Sequence, residues 1–351
     1  MDRVLKVVVV DDSAYVRKVV REILSRSPFV EVVGTARDGR EALDVVERLD
    51  PDVVTCDLIM PELDGVGFVR EQMQRRPVPI IIMSIANETA EAALTALDLG
   101  AIDFVQKPTA LASEKIFEVS SELIEKVKAA GSIALNRISS SASSQNTETP
   151  AREPGPRIAG SHAVDMVVIG ISTGGPQALK RLIPQLPADF PVPIAMVMHM
   201  PLGYTEMYAA KLNELSQLEV REAADGDEIK PGRVFLARAG RHLKLSRVAN
   251  GKVITQLDAK PFDSLHRPAV DVLFQSAAEV YGSRLLGVVM TGMGSDGKQG
   301  AAWIKSQGGL VFTEAESSCV VYGMPSVVME AGLSDRSVAL DDMARAIREV
   351  V

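Results

Sequence analysis

The chain has 351 residues, 46% hydrophobic and 24% charged, which is apolar material for two cores, since single cores stop growing at about 250–300 residues. Its 46 Asp and Glu outnumber its 38 Lys and Arg, leaving a formal net charge of -8; this lacks the basic excess that binds phosphate backbones and argues against a nucleic-acid partner. Cys56 and Cys319 are too few for a disulfide framework, the start lacks a signal-peptide core, and no run approaches the roughly 20 apolar residues that span a bilayer, so a cytoplasmic protein without membrane insertion is expected.

In chain order, the apolar runs VLKVVVV (4–10), VEVVGTA (30–36), DVVTC (52–56), PIIIMS (79–84) and DFVQ (103–106) read as strands. Segments between them, such as Ser13–Ser25 and Gly39–Leu49, repeat apolar residues at helical spacing. The unit is β then α, which predicts a doubly wound parallel sheet covered on both faces. From about Ala129 to Ala163 the composition turns to Ser, Pro and Gly, too polar to offset ordering entropy, so a flexible linker is placed at 126–163 between domains at 1–125 and 164–351. The second domain repeats the pattern with runs at 163–171, 193–199, 284–292 and 310–313, again an α/β doubly wound sheet. Between its second and third runs, Asp225-Gly226, Pro231-Gly232 and Asn250-Gly251 are turn dipeptides, predicting an antiparallel hairpin.

Polar residues of the first domain gather just after its strands: Asp11 and Asp12, Asp57, Ser84 and Lys107. That is the edge where open α/β sheets bind ligands. Three carboxylates together repel unless a hard dication holds them, and such a set with a hydroxyl and an ammonium suits receipt of a phosphoryl group. Taken together, DDSAYVRKVV, PDVVTCDLIMPELDG, MS and DFVQKP resemble the receiver domain of two-component response regulators, over residues 4 to about 125. The resemblance implies a flavodoxin-like fold, Asp57 as phosphoacceptor, and Asp11 and Asp12 with Asp57 as an Mg2+ site. It also implies Ser84 as switch hydroxyl, Phe104 as switch aromatic and Lys107 as the phosphate-contacting ammonium.

In the second domain GISTG (170–174) fits G-x-S-x-G after an apolar run, which would expose the Ser172 hydroxyl on a tight strand-to-helix turn. Such Gly-rich turns also cap helices and cradle phosphates, so the motif leaves both readings open. A serine nucleophile needs a base, and the histidines are His162, His199, His242 and His266. His162 falls in the linker and His242 in the hairpin region. His199 closes a strand on the Ser172 edge and is preferred, with His266 second. An acid must orient the base. Asp296 in TGMGSDG meets that need beside His199, whereas the usual order of α/β-hydrolases would pair His266 with Asp258 or Asp263.

The succession GISTGGP, HMP, HRPAVDVLF, TGMGSDG and CVVYGMP resembles the catalytic domain of chemotaxis-type protein-glutamate methylesterases, over residues 165 to about 345. It departs at Met198 and Leu265, where glutamine and glycine are the family's usual residues. The resemblance implies a Rossmann-like serine hydrolase with Ser172, His199 and Asp296 as triad, Thr173 beside the nucleophile and the backbone near Met293 holding the oxyanion. By the same resemblance the esterase chemistry needs no cofactor. The substrates would be glutamate γ-methyl esters, and also glutamines for deamidation, on cytoplasmic helices of chemoreceptors. A chemotaxis histidine kinase would be the phosphodonor, and the unphosphorylated receiver is expected to cover the Ser172 edge. Two rival expectations are a phosphorylation-gated binding protein without catalysis and a general esterase using His266.

Overall fold

The computed structural model describes residues 3–84, 89–107, 113–132, 164–261 and 264–351. Its first half runs β1 (Leu5–Val10), α1 (Ala14–Leu24), β2 (Val30–Ala36), α2 (Gly39–Leu49), β3 (Val53–Asp57), α3 (Gly65–Arg75), β4 (Ile80–Ser84), α4 (Ala90–Asp98), β5 (Asp103–Gln106) and α5 (Ser113–Gly131). The strands form one parallel sheet in the order β2-β1-β3-β4-β5. Strands β3 and β4 are buried throughout, as a sheet covered on both faces requires, and this is why they read as unbroken apolar runs. Ser13, Asp38 and Asp64 begin α1, α2 and α3, each side chain accepting an N–H of the first turn.

Helix α5 runs past residue 125, where the first domain was expected to end. It continues to Gly131, with Val127 and Ala130 buried against Val7 and Val9 of the sheet. Leu123, Val127 and Ala130 keep the helical spacing past the point where the linker was expected to start. The expected tether over 133–163 lies outside the described residues.

The second half comprises β6 (Met166–Ile171), α6 (Gly175–Leu182), β7 (Ile194–Met198), α7 (Thr205–Leu215), β8 (Glu219–Glu222), β9 (Arg233–Leu236), β10 (His242–Arg247), β11 (Val253–Asp258) and α8 (Val270–Tyr281). It continues with β12 (Leu285–Val289), α9 (Lys298–Ser306), β13 (Leu310–Glu314), α10 (Met324–Glu330), β14 (Arg336–Val338) and α11 (Leu340–Arg348). Its parallel sheet has the order β14-β13-β12-β6-β7-β9-β8. The direction of winding reverses between β12 and β6, which opens a crevice at the carboxyl ends of those strands.

The turn-rich segment holds the expected antiparallel hairpin, β10 with β11, packed on α8 through Leu243, Leu245 and Val253. It also supplies β8 and β9, which join the main sheet in parallel. Each is only four residues long, and β8, Glu-Val-Arg-Glu, lies at the sheet edge with a single buried side chain. Among the described residues no helix is long and apolar enough to cross a membrane.

Candidate functional site

Ser172 stands between β6 and α6, at the crevice where the winding reverses. The turn depends on glycine: Gly174 has φ 81°, and a Cβ there would come 2.6 Å from the Val320 side chain. Gly292 lets the loop after β12 approach, since a Cβ on it would lie 2.7 Å from that of Ser172. The Ser172 N–H donates to Thr291 O at 3.0 Å, tying the serine turn to that loop.

Three of the expected residues meet in a line. Ser172 Oγ lies 3.2 Å from His199 Nδ1, and His199 Nε2 lies 2.8 Å from Asp296 Oδ2. A carboxylate can only accept, so Nε2 carries the proton and the bare Nδ1 faces the serine hydroxyl. Asp296 is held at the start of α8, where its Oδ2 accepts from Val270 N–H and its Oδ1 from Asp271 N–H, each at 2.8 Å. Burial acts to raise its pKa, but the His199 hydrogen bond and charge and these two amides outweigh it, so the carboxyl stays below its ordinary value. The pair is therefore set to stabilise an imidazolium.

Behind the serine, Thr291 joins three segments. Its N–H donates to Glu314 Oε2 at 2.9 Å and its hydroxyl donates to Thr173 O at 2.9 Å, while it accepts from Val321 N–H at 2.9 Å. Glu314 is fully buried, and burial pushes its carboxyl up. Thr173 is buried too, and its hydroxyl has no hydrogen-bond partner among the described residues. Met293 directly follows Gly292 in the loop against Ser172.

The alternative base does not meet the serine through its own acid. His266 stacks on His199 with ring centroids 3.9 Å apart, and burial with the neighbouring His199 lowers its pKa to about 4. Asp258 pairs with Lys244 at 2.8 Å on the hairpin, and Asp263 and His162 lie outside the described residues. His242 is buried and structural: its Nδ1 accepts from Ala269 N–H at 3.2 Å and its Nε2 donates to Pro261 O at 3.1 Å, fixing the chain on both sides of His266.

At the corresponding edge of the first sheet, Asp11, Asp12 and Asp57 offer carboxylate oxygens within 4.8 Å of one another. Lys107 reaches Asp11 Oδ2 and Asp57 Oδ2, each at 2.7 Å. Burial raises the Asp57 pKa, the nearby Asp11 adding to it and Lys107 opposing. Hard oxygen donors so close, with two of the three acids buried, form an acidic pocket fit for a small dication.

Ser84 and Phe104 lie where the two halves touch. Asp57 is in register with Met83, so Ser84 is one step further along the neighbouring strand. Its hydroxyl bonds Thr89 Oγ1 at 2.6 Å and also the Tyr204 hydroxyl from the second half. The Tyr204 ring packs on Phe104 with centroids 4.6 Å apart. Nearby, Lys180 and Lys211 both pair with Asp98 of α4, and Gln177 donates to Leu97 O. Val320, beside the Gly174 turn, packs against the core of the first half. Ser172 is only 8% exposed. Tyr204, Asp271, Thr291 and Glu314 were not singled out from sequence; the placement of Asp271 in HRPAVDVLF, of Thr291 at the start of TGMGSDG and of Glu314 at the end of an apolar run offered a signal.

Family models match the chain twice: the response regulator receiver domain over residues 7–118 and the CheB methylesterase over residues 167–347. A protein-glutamate methylesterase/protein-glutamine glutaminase of Myxococcus xanthus is 49% identical over 350 residues, covering 99% of this chain and 98% of the relative. One of the same description from Symbiobacterium thermophilum is 44% identical over 361 residues, covering 100% and 98%. The crystal structure of the Thermotoga maritima CheB methylesterase catalytic domain aligns with a TM-score of 0.52 and 44% identity, covering 54% of this chain and 100% of that domain.

Proposed function

The chain belongs to the CheB methylesterase family and carries a response regulator receiver domain ahead of its catalytic one, and from that premise we propose that it hydrolyses glutamate γ-methyl esters on chemoreceptors, under control of receiver phosphorylation. The observation that carries the chemistry is the hydrogen-bonded line from Ser172 through His199 to Asp296 at the crevice of the second sheet.

In this reading the Ser172 hydroxyl passes its proton to His199 Nδ1 as Oγ bonds the ester carbonyl carbon. The Thr173 N–H and the backbone near Met293 hold the tetrahedral oxyanion. Collapse breaks the bond to methoxide, which takes the proton from His199 and leaves as methanol. Water then attacks the acyl-serine, giving its proton to His199, and Ser172 recovers a proton as the glutamate carboxylate departs. Asp296 balances the imidazolium charge in both halves. The same steps on glutamine release ammonia.

For the receiver, Asp57 takes the phosphoryl group from a chemotaxis histidine kinase in the cytoplasm. Asp11, Asp12 and Asp57 would hold Mg2+, which when bound neutralises charge on the carboxylates and on the incoming phosphoryl group. Lys107, paired with Asp11 and Asp57, would contact the phosphate. A phosphoryl group on Asp57 is a strong acceptor one strand from Ser84, and it draws the Ser84 hydroxyl away from Tyr204. With that bond lost and Phe104 released, the contact over the Ser172 edge weakens and the open population grows. The unphosphorylated receiver is thus an inhibitor by occlusion. Methanol release from a methylated receptor, compared between wild type and Ser172→Ala, tests the hydrolase; equal release by both overturns it.

A further inference from the structure

We infer that Asp271 is a positioning residue of the hydrolytic site, holding the loop that carries Asp296 so that Oδ2 faces His199. The inference rests on the reading of Ser172, His199 and Asp296 as the reacting line.

Asp296 sits in a segment built for freedom. Gly294 and Gly297 flank it with φ of 86° and 96°, conformations open to glycine at a cost in chain entropy. A loop of this composition stays in one orientation only if hydrogen bonds fix it. Asp271 supplies them. Its Oδ1 accepts from Gly297 N–H at 2.9 Å, the residue directly after Asp296, and from Gly300 N–H at 2.7 Å in the first turn of α9.

The arrangement is reciprocal. Asp271 lies in the first turn of α8 and its carboxylate caps α9, while Asp296 lies just before α9 and its carboxylate accepts the first amides of α8. Each helix start holds the other's acid, where the aligned peptide dipoles favour negative charge. The helices are close enough for this because Gly300 has no side chain: a Cβ there would fall 2.5 Å from Phe274 Cβ and 3.1 Å from Asp271 Cα.

A plain helix cap would not need two half-buried acids side by side. Burial, with the neighbouring Asp296, pushes the Asp271 carboxyl up to about 6, a cost that a remote serine or threonine cap would avoid. What the second acid adds is a fixed direction for the first. Asp271 touches neither Ser172 nor His199, so its action runs through Asp296.

The test uses the full-length chain with phosphodonor, a methylated receptor as substrate, and a temperature at which thermal unfolding shows every variant folded. Asp271→Ala is expected to lower kcat about ten- to hundredfold with KM unchanged, the scale for a misplacement of about an ångström. Asp271→Asn keeps the Oδ1 acceptor and is expected to restore most of that loss. Asp271→Glu, which retains the charge but moves the carboxylate by one methylene, replaces the alanine variant if that one fails to fold, and is expected to lose kcat in the same direction. Adding Asp271→Ala to Asp296→Ala should cost nothing more, because residues acting as one unit are not additive. If Asp296→Ala is crippled while the folded Asp271 variants keep wild-type kcat, or if the two losses multiply, the positioning role is wrong and the triad reading stands. If Asp296→Ala itself keeps wild-type kcat, the triad reading falls and this inference with it.

Discussion

Tyr204→Phe isolates the link between the receiver and the catalytic crevice. Tyr204 is fully buried, its hydroxyl bonds Ser84, and its ring lies on Phe104. The substitution removes one oxygen and leaves the ring contact in place. Ser84 is not orphaned, because Thr89 remains 2.6 Å away, so no desolvation penalty is added. The closed form therefore loses the net value of one neutral hydrogen bond, about 0.5–1.5 kcal/mol. At about 1.4 kcal/mol per factor of ten, the open population rises about two- to tenfold. Where the closed form is inactive and dominant, the unphosphorylated rate rises by that factor. The phosphorylated rate should not change, since in the proposed switch that state has already given up the bond, so the activation ratio should shrink correspondingly. Methanol release with and without a small phosphodonor reads both numbers. An unphosphorylated Tyr204→Phe rate equal to wild type, with full activation retained, refutes Tyr204 as the contact that phosphorylation breaks.

Ser172→Ala, His199→Ala and Asp296→Asn should each abolish most esterase activity while the chain stays folded, and the triple variant should be little worse than Ser172→Ala; near-normal turnover by His199→Ala alongside a dead His266→Ala moves the base. Asp57→Asn should block phosphorylation and hold the rate at its low basal level, which mass spectrometry of the phosphodonor-treated variant checks; equal label on that variant contradicts the site. His266 has a folded pKa of about 4, below the usual histidine value of about 6.5, so the unfolded chain binds more protons between those limits and stability falls as pH drops through that window. Urea midpoints at pH 7 and pH 5 should therefore differ less in His266→Gln than in wild type, and an equal difference contradicts the assignment. Removing residues 1–132 should raise the basal rate above that of the unphosphorylated full chain; no rise on receptor substrate makes occlusion untenable.

Much of this architecture is readable in the residues because parallel strands buried on both faces leave long apolar runs, as in Val7–Val10 and Ile80–Met83. The edge strands of the second sheet leave no such trace: β8 is the four residues Glu-Val-Arg-Glu, three of them charged, and β14 is only the three residues Arg-Ser-Val. The last turns of α5 are hard to read because Lys126, a charged residue, is buried there and donates to Phe104 O at 2.8 Å, with Asp103 and Glu122 beside it. Strand-end polar residues such as Ser172, His199 and Asp57 are legible because topology, not distance along the chain, gathers them. Tyr204 was invisible for the converse reason. Its partner Ser84 is 120 residues away in another sheet, and no periodicity encodes a contact between two domains. Asp271 looks like any acid in a first helical turn until the loop that it holds is seen.

The proposed release of hydrolysis at Ser172 by phosphorylation of Asp57 in the same chain can be read from methanol release from a methylated receptor, followed before and after addition of a phosphodonor, for wild type, Asp57→Asn and Ser172→Ala. The wild-type rate is expected to climb on addition, the Asp57→Asn rate to stay at the basal level, and Ser172→Ala to release none. A wild-type rate indifferent to the phosphodonor, or methanol released by Ser172→Ala, overturns the proposal.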